Sequence, residues 1–448
     1  MTGPGVNLRS LVPRDIGIPP CCPPRPGSNL PQPNHSRHPS TTGAVLTPTP
    51  PAGSHLRGRG TVQPNGAIGE LEAFRERVRH FLSRSIDSGI ACPAFGTIMP
   101  PAFGDRARAW QAHCFEHGFA GLHWPRQYGG QGLSRDHTNV WGEECARHDV
   151  APYMNFQGII LAAGAILRFG TEDHKQRYLR PTLSGEILWC QLFSEPDAGS
   201  DLASLQTRAE PHSGGWRVTG QKVWTSTAQL AQQAILLART DPDTPGSRGI
   251  SFFCVDMDTP GIEVRPLVQM TGDSEFCEVF LDDVQLPPDS LIGPLHGGWK
   301  VAMSVLADER SAGRVGAINL ERRLAVLAGG VPGDDPVLTD RLMRALTEGG
   351  ALVQMMIRSD GDLSLGPLTK LAASDFGAVA AELGLDARGP DAMINGEATE
   401  PFLYAPGMKL GGGTSEIQRN LIGERLLGLP REPRPRFLPG PPNKGRAP

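Results

Sequence analysis

Glu309 and Gly412 are the two positions around which chemistry can be built. Glu309 lies in Gly298-Trp-Lys-Val-Ala-Met-Ser-Val-Leu-Ala-Asp-Glu-Arg-Ser-Ala-Gly-Arg-Val-Gly316, a stretch that reads as one helix. Helical spacing puts Ala302, Val305, Leu306, Glu309, Ala312, Gly313 and Gly316 on one face. That face is small and apolar, so a ligand or another backbone can approach it, and a carboxylate interrupts it. Desolvation there raises a carboxyl pKa, which suits a general base. The alternative is a surface or salt-bridged residue beside Arg310. Gly412 belongs to Leu410-Gly-Gly-Gly-Thr-Ser-Glu-Ile-Gln-Arg-Asn420, a glycine turn that opens into a helix.

These residues must be positioned by a chain of 448 residues, long enough for two or three domains and a large core. A net charge of −4 with only 20% charged residues offers no nucleic-acid surface, and no apolar run reaches membrane-spanning length. Apolar residues Leu71, Phe74, Val78, Phe81 and Leu82 recur at helical spacing from Gly69 onward. Further helices are predicted over 105–118, 135–148, 155–169 and 172–184. Near residue 188 the period changes. Short runs at 216–218, 233–239, 250–255, 262–264 and 276–281, separated by Gly and Pro breaks, predict a small antiparallel barrel or sandwich. After Gly297 the helical period returns and holds to about Leu429. No strand–helix alternation, GxGxxG, P-loop or Gly-x-Ser-x-Gly elbow occurs, which argues against a dinucleotide-binding α/β fold.

Proline concentrates in the first 64 residues, as in Ile18-Pro-Pro-Cys-Cys-Pro-Pro-Arg-Pro26. Residues 1–68 are expected to be a disordered extension, and 433–448 a disordered tail. The ordered part divides into a helical domain over 69–187, a β domain over 188–293 and a helical bundle over 294–432. The eight cysteines are scattered without zinc spacing, which fits reduced thiols of a cytoplasmic protein and no metal centre. Cys21 and Cys22 with His35 and His38 could bind a metal, but a Pro-rich tract is a poor cage.

Three motifs carry a resemblance. Leu188-Trp-Cys-Gln-Leu-Phe-Ser-Glu-Pro-Asp-Ala-Gly-Ser-Asp-Leu202 resembles the first signature of acyl-CoA dehydrogenases. Trp216 to Thr227 looks like that family's flavin-covering strand, and Gly411 to Arg431 resembles its C-terminal signature. The resemblance covers about residues 69–432. It implies an α+β fold: an N-terminal helical domain, a middle antiparallel β-barrel and a C-terminal four-helix bundle. It also implies FAD and α,β-dehydrogenation of an acyl-CoA thioester. A carboxylate takes the α-proton and the β-hydrogen leaves as hydride to flavin N5.

Many members carry the base immediately before the C-terminal Gly-Thr, where this chain has Gly412. A smaller group places it on a bundle helix before an Arg, and Glu309-Arg310 matches that position. Gly412 could still offer its N–H to the thioester oxygen. By resemblance, Gln191, Phe193, Ser194, Ser200, Trp224, Thr225, Ser226, Thr414 and Glu416 meet the cofactor. Ser200, Arg310, Gly412 and Gly413 meet the substrate. The bland readings are a core Trp224, a helix-capping Thr414 or Ser415, and Glu416 as a first-turn acid. Two elements that complete the family's site across a dimer, Arg-x-x-Phe-Gly and Gly-Gly-x-Gly-Tyr, are missing: Leu327 to Pro336 and Arg388 to Ala392 stand there. The expected partners are an acyl-CoA, an electron-transfer flavoprotein or similar acceptor, and further subunits, homomeric or paralogous. That pattern resembles actinobacterial heteromeric dehydrogenases of steroid side chains. The rival readings are an acyl-CoA oxidase, a flavin monooxygenase, or a non-catalytic partner subunit.

Overall fold

The computed structural model describes residues 64–431 except 97, 310–312, 330–334, 361, 395, 397 and 398; of 64–68, 307–309 and 363 it describes the backbone alone. The Pro-rich start, with Cys21, Cys22, His35 and His38, and the tail from 432 lie outside the described residues. Five helices come first: α1 (Pro64–Asp87), α2 (Gly104–Glu116), α3 (Arg135–Arg147), α4 (Ala163–Phe169) and α5 (Glu172–Ser184). The apolar stripe of α1 is buried, with Phe74, Val78, Phe81 and Leu82 each at most 3% exposed. Its polar flank reaches α3, where Arg75 meets Glu144 at 2.6 Å and Arg79 meets it at 3.0 Å. Phe81 stacks on Phe119 at 4.4 Å and on Trp110 at 5.7 Å, tying α1 to α2. α5 starts at a capping box on Thr171. The helix predicted over 155–169 opens as a π-helical turn, Gln157–Ala162, before α4.

Seven strands follow: β1 (Trp189–Leu192), β2 (Arg208–His212), β3 (Gly215–Ser226), β4 (Gln233–Arg239), β5 (Ile250–Asp256), β6 (Ile262–Leu267) and β7 (Phe276–Leu286). They form one sheet in the order β1-β4-β2-β3-β7-β6, with β5 paired to β4. The sheet is mixed where an antiparallel one was expected, because β1 runs parallel to β4. β1 sits inside the signature and reads as a loop by its Ser, Pro and Gly. β2 holds a proline and is mostly exposed, so it shows no apolar alternation.

The C-terminal part holds α6 (Gly298–Glu309), α7 (Gly313–Gly329), α8 (Pro336–Arg358), α9 (Gly366–Arg388), α10 (Thr399–Leu410) and α11 (Ser415–Leu421). Of the helix expected over 298–316, the described parts run to Glu309 and again from Gly313, with 310–312 outside the described residues. Gly313 has φ +41°, and a Cβ there would stand 2.6 Å from the Asp360 carboxylate. Glycine adopts that turn without the strain a side chain would add. α6 belongs to the large core, where Val301, Ala302 and Val305 are fully buried. Gly298 lets it lie on β5, since a Cβ would come within 2.3 Å of Ser251. The bundle has its own core, built around Ala317, Leu324, Leu342, Ala345, Leu352 and Phe376 of α7, α8 and α9.

Candidate active site

The first signature forms a braced loop after β1. Gln191 is half-buried in β1, and Phe193 is 4% exposed with its ring edge-on to Phe252 at 5.9 Å. The carbonyl of Ser194 accepts the Val223 N–H at 3.0 Å, which ties the loop to β3. Glu195 and Ala198 close a tight turn, and Ser200 stands exposed at its rim. The brace itself was not legible as a functional element. Lys222 is fully buried and donates to Glu195 Oε1 at 2.9 Å and to the Phe193 carbonyl at 3.0 Å. Glu195 also accepts the N–H groups of Gln206 and Thr207, at 2.6 and 2.9 Å. Burial pulls the Lys222 pKa down to about 8 against the pull of Glu195. The Glu195 carboxyl is lowered: burial opposes this, and the Lys222 charge and the donors outweigh it. The sequence signal was the inward alternation Val218, Gly220, Lys222 along β3: a lysine on a core-facing register needs a buried acid.

β3 then breaks its register. Lys222 pairs with Val279 but Thr225 with Cys277, so three steps on β3 match two on β7. The bulge holds Trp224 at φ +59°, a left-handed conformation unusual for a bulky side chain. Its indole is 60% exposed and touches only the edge of Phe276 among the rings, at 5.8 Å. Trp224 is therefore no core residue. Thr225 faces inward, fully buried, and its hydroxyl has no partner among the described residues. The half-buried Ser226 offers its carbonyl to the Thr227 hydroxyl at 2.8 Å. Thr227 N–H donates to the Glu275 carbonyl at 2.7 Å. The Glu275 carboxyl is 6% exposed with Oε2 unpartnered, and burial pushes its pKa up.

The glycine turn after α10 is built from left-handed residues, Gly412 at φ +67° and Gly413 at φ +97°. Gln418, itself fully buried, donates to the Gly412 carbonyl at 2.8 Å and to that of Gly413 at 3.2 Å. Lys370 on α9 donates to the Gly413 carbonyl at 2.7 Å and to that of Lys409 at 3.1 Å. Among the described residues the N–H groups of Gly412 and Gly413 have no acceptor. Thr414 is the N-cap of α11, accepting the Ile417 N–H. Ser415 is buried with an unpartnered hydroxyl. Glu416 is exposed, and its own N–H and the Thr414 hydroxyl hold its carboxyl below the usual range. An open cavity of about 280 Å³ lies beside them, lined by Asp375, Lys409, Thr414, Ser415, Glu416 and Arg419.

The loop residues 191–200 and the bulge 224–226 thus form one unit, and residues 412–416 form a second. Among the described residues no hydrogen bond joins the two. Tyr404 on α10 is half-buried, and its hydroxyl is pushed to about 12, by burial first and then by the Glu275 charge. α6 ends at Glu309, but the Glu309 side chain and Arg310 lie outside the described residues. Asn155 and Gln157 are buried and bonded to each other, and Asn155 anchors both the N–H and the carbonyl of Trp189. Asn155 is therefore an anchor of β1.

Three domain families match the chain in order. They are the acyl-CoA dehydrogenase N-terminal domain over residues 69–186, the middle domain over 190–284 and the C-terminal domain over 296–427. The acyl-CoA dehydrogenase IpdE1 of Mycobacterium tuberculosis is 37% identical over 383 residues, covering 81% of this chain and 99% of the relative. The 2-methylacyl-CoA dehydrogenase of Solanum tuberosum mitochondria is 28% identical over 68% of this chain and 79% of its own length. Among solved structures, the ChsE4–ChsE5 complex from Mycobacterium tuberculosis superposes with a TM-score of 0.67 at 26% identity. That match covers 84% of this chain and all of the other.

Proposed function

The chain belongs to the acyl-CoA dehydrogenase family, an oxidoreductase family acting on CH–CH donors, and from that premise we propose that it binds FAD and dehydrogenates an acyl-CoA thioester with Glu309 as the α-proton base. The observation that carries this reading is the left-handed Gly412–Gly413 turn. It has no acid side chain, its carbonyls are tied back by Gln418 and Lys370, and its N–H groups are unspent.

The residues present fit a flavin. A largely exposed indole held at a strained bulge stands beside Thr225, whose buried hydroxyl has no hydrogen-bond partner among the described residues, and on the bundle side the buried hydroxyl of Ser415 has none either. Gln191, Phe193, Ser194, Ser200, Trp224, Thr225 and Ser226 on the sheet side, with Thr414 and Glu416 on the bundle side, would hold it. FAD, when bound, supplies the acceptor for the electron pair that leaves with the β-hydrogen. The chain's own residues do the rest. Gly412, seconded by Gly413, donates its N–H to the thioester oxygen and so acidifies the α-carbon. Glu309 takes the α-proton. Arg310 and Ser200 hold the coenzyme A portion, as charge-assisted donors hold phosphate. The Lys222–Glu195 pair keeps the loop carrying Ser194 and Ser200 in register with Trp224.

Glu309→Gln tests this. The purified variant should keep its flavin, measured by absorbance, and lose bleaching by acyl-CoAs under anaerobic conditions by about a hundredfold to ten-thousandfold. Flavin reduction at the parent rate would remove Glu309 from the mechanism. The sequence pattern that resembles heteromeric dehydrogenases of steroid side chains motivates a steroid-derived acyl group, and the similarity to a chain of the ChsE4–ChsE5 complex supports a partner subunit. A panel of steroid-ring and straight-chain thioesters would separate the substrate classes.

A further inference from the structure

The last turn of α2 reads His113-Cys-Phe-Glu116-His117. Positions i, i+3 and i+4 share one helix face, so both imidazoles and the carboxylate project together. Their ligand atoms lie within 4.8 Å of one another, and among the described residues no other group of three His, Cys, Asp or Glu side chains does so.

Hydrogen bonds decide which nitrogens are available. The hydroxyl of buried Ser85 donates to the Phe81 carbonyl at 2.8 Å, so its one proton is spent. It can then only accept from His113 Nε2, which stands 3.3 Å away. His113 is therefore the Nε2–H tautomer with a bare Nδ1. His117 Nδ1 lies 2.9 Å from the His113 carbonyl, which can only accept, so His117 carries its proton on Nδ1 and presents a bare Nε2. Each ring donates one N–H to a protein oxygen and exposes the other nitrogen, the arrangement in which metal-bound imidazoles are found. We propose that this turn is a binding site for one divalent first-row transition ion, zinc, nickel or copper, held by His113 Nδ1, His117 Nε2 and the Glu116 carboxylate.

Imidazole with carboxylate is a donor set these ions accept. Bonds of the usual length put tetrahedral ligands about 3.4 Å apart, so small side-chain rotations close the set. The frame does not need to move. His113 is stacked on Phe81 at 5.2 Å, and the chain beyond His117 is locked by Phe119 N–H on the Cys114 carbonyl. The site caps the negative end of the helix, which favours a cation. Burial first, and then the neighbouring His117, holds the His113 pKa below its ordinary value. Arg84 acts against the ion and Glu116 for it, as both act on His113. The inference concerns the N-terminal helices and does not depend on the dehydrogenation chemistry.

The test uses the full chain with Cys21→Ser and Cys22→Ser, so that those thiolates do not compete. Titration calorimetry with Zn²⁺ should give one site per chain. Cu²⁺ should give an electron paramagnetic resonance spectrum split by two imidazole nitrogens. His117→Gln, at an exposed position, should remove that site, and Ser85→Ala should weaken it about tenfold by freeing the His113 tautomer. His212→Gln, on an exposed strand end, should change nothing. Unchanged Zn²⁺ affinity in His117→Gln, or no saturable binding below about 1 mM, a weak limit for specific association, would overturn the proposal.

Discussion

At the scale of single residues, Trp224 shows strain kept where a surface is exposed. A left-handed residue with a side chain costs about 1–2 kcal/mol, whereas glycine is free of that cost but loses more chain entropy. The indole is mostly exposed, so little burial offsets the strain. Trp224→Gly is expected to hold or raise stability, by up to about 1 kcal/mol, while weakening FAD retention. Urea midpoints and flavin content measure the two separately. Gly413→Ala should do the reverse. Its φ of +97° and a Cβ only 2.7 Å from Gln418 Nε2 leave no room. A loss of at least about 1 kcal/mol is expected, with faster FAD loss.

At the scale of elements, the brace under the signature loop is a buried ion pair between β3 and the strand end. Breaking such a pair from one side costs about 3 kcal/mol, because the remaining charge stays buried. Lys222→Met should approach that, moderated by the two backbone donors that still satisfy Glu195. The pH dependence has a definite sign. Burial lowers Lys222 from 10.5 to about 8 in the folded chain. Between those values the unfolded chain holds a proton the folded chain has released, so this group favours folding more as pH rises. The stability of the parent relative to Lys222→Met should therefore climb between pH 8 and 10.5. Parallel curves for the two proteins would contradict the buried lysine. On the acid side Glu195 and Glu144 both have lowered folded values. Their contribution is full above the usual carboxylate range and is lost as pH falls through it.

At the scale of the whole molecule, the groups proposed to face a flavin and the absent sequence elements expected to complete the site point in different directions. The chain carries Trp224, Thr225 and the glycine turn, but its sequence lacks Arg-x-x-Phe-Gly and Gly-Gly-x-Gly-Tyr. A pyrophosphate without its cationic partner is weakly held, since charge-assisted bonds are the strong ones. The chain purified alone is expected to hold less than one FAD per subunit, and co-expression with a paralogous subunit should restore it. Native mass spectrometry with flavin quantitation reads both quantities. A homotetramer with one tight FAD per chain would refute it.

Helical and strand periods made the order of the three structural regions legible, because burying an apolar face imposes spacing that survives in sequence. Glycine and motif spacing likewise marked the turn at Gly412 and the loop at Ser194 to Ser200. What sequence could not decide depended on contacts made across distance. The parallel pairing of β1 with β4 is a tertiary choice of neighbour. The left-handed Gly313 sits against the carboxylate of Asp360, 47 residues away. The register of β3 turns Lys222 inward, but that Glu195, from another segment, is the acid it meets in the core is a tertiary fact. The tautomers of His113 and His117 were set by Ser85 on α1 and by one backbone carbonyl, and no spacing rule encodes a proton's place on a ring.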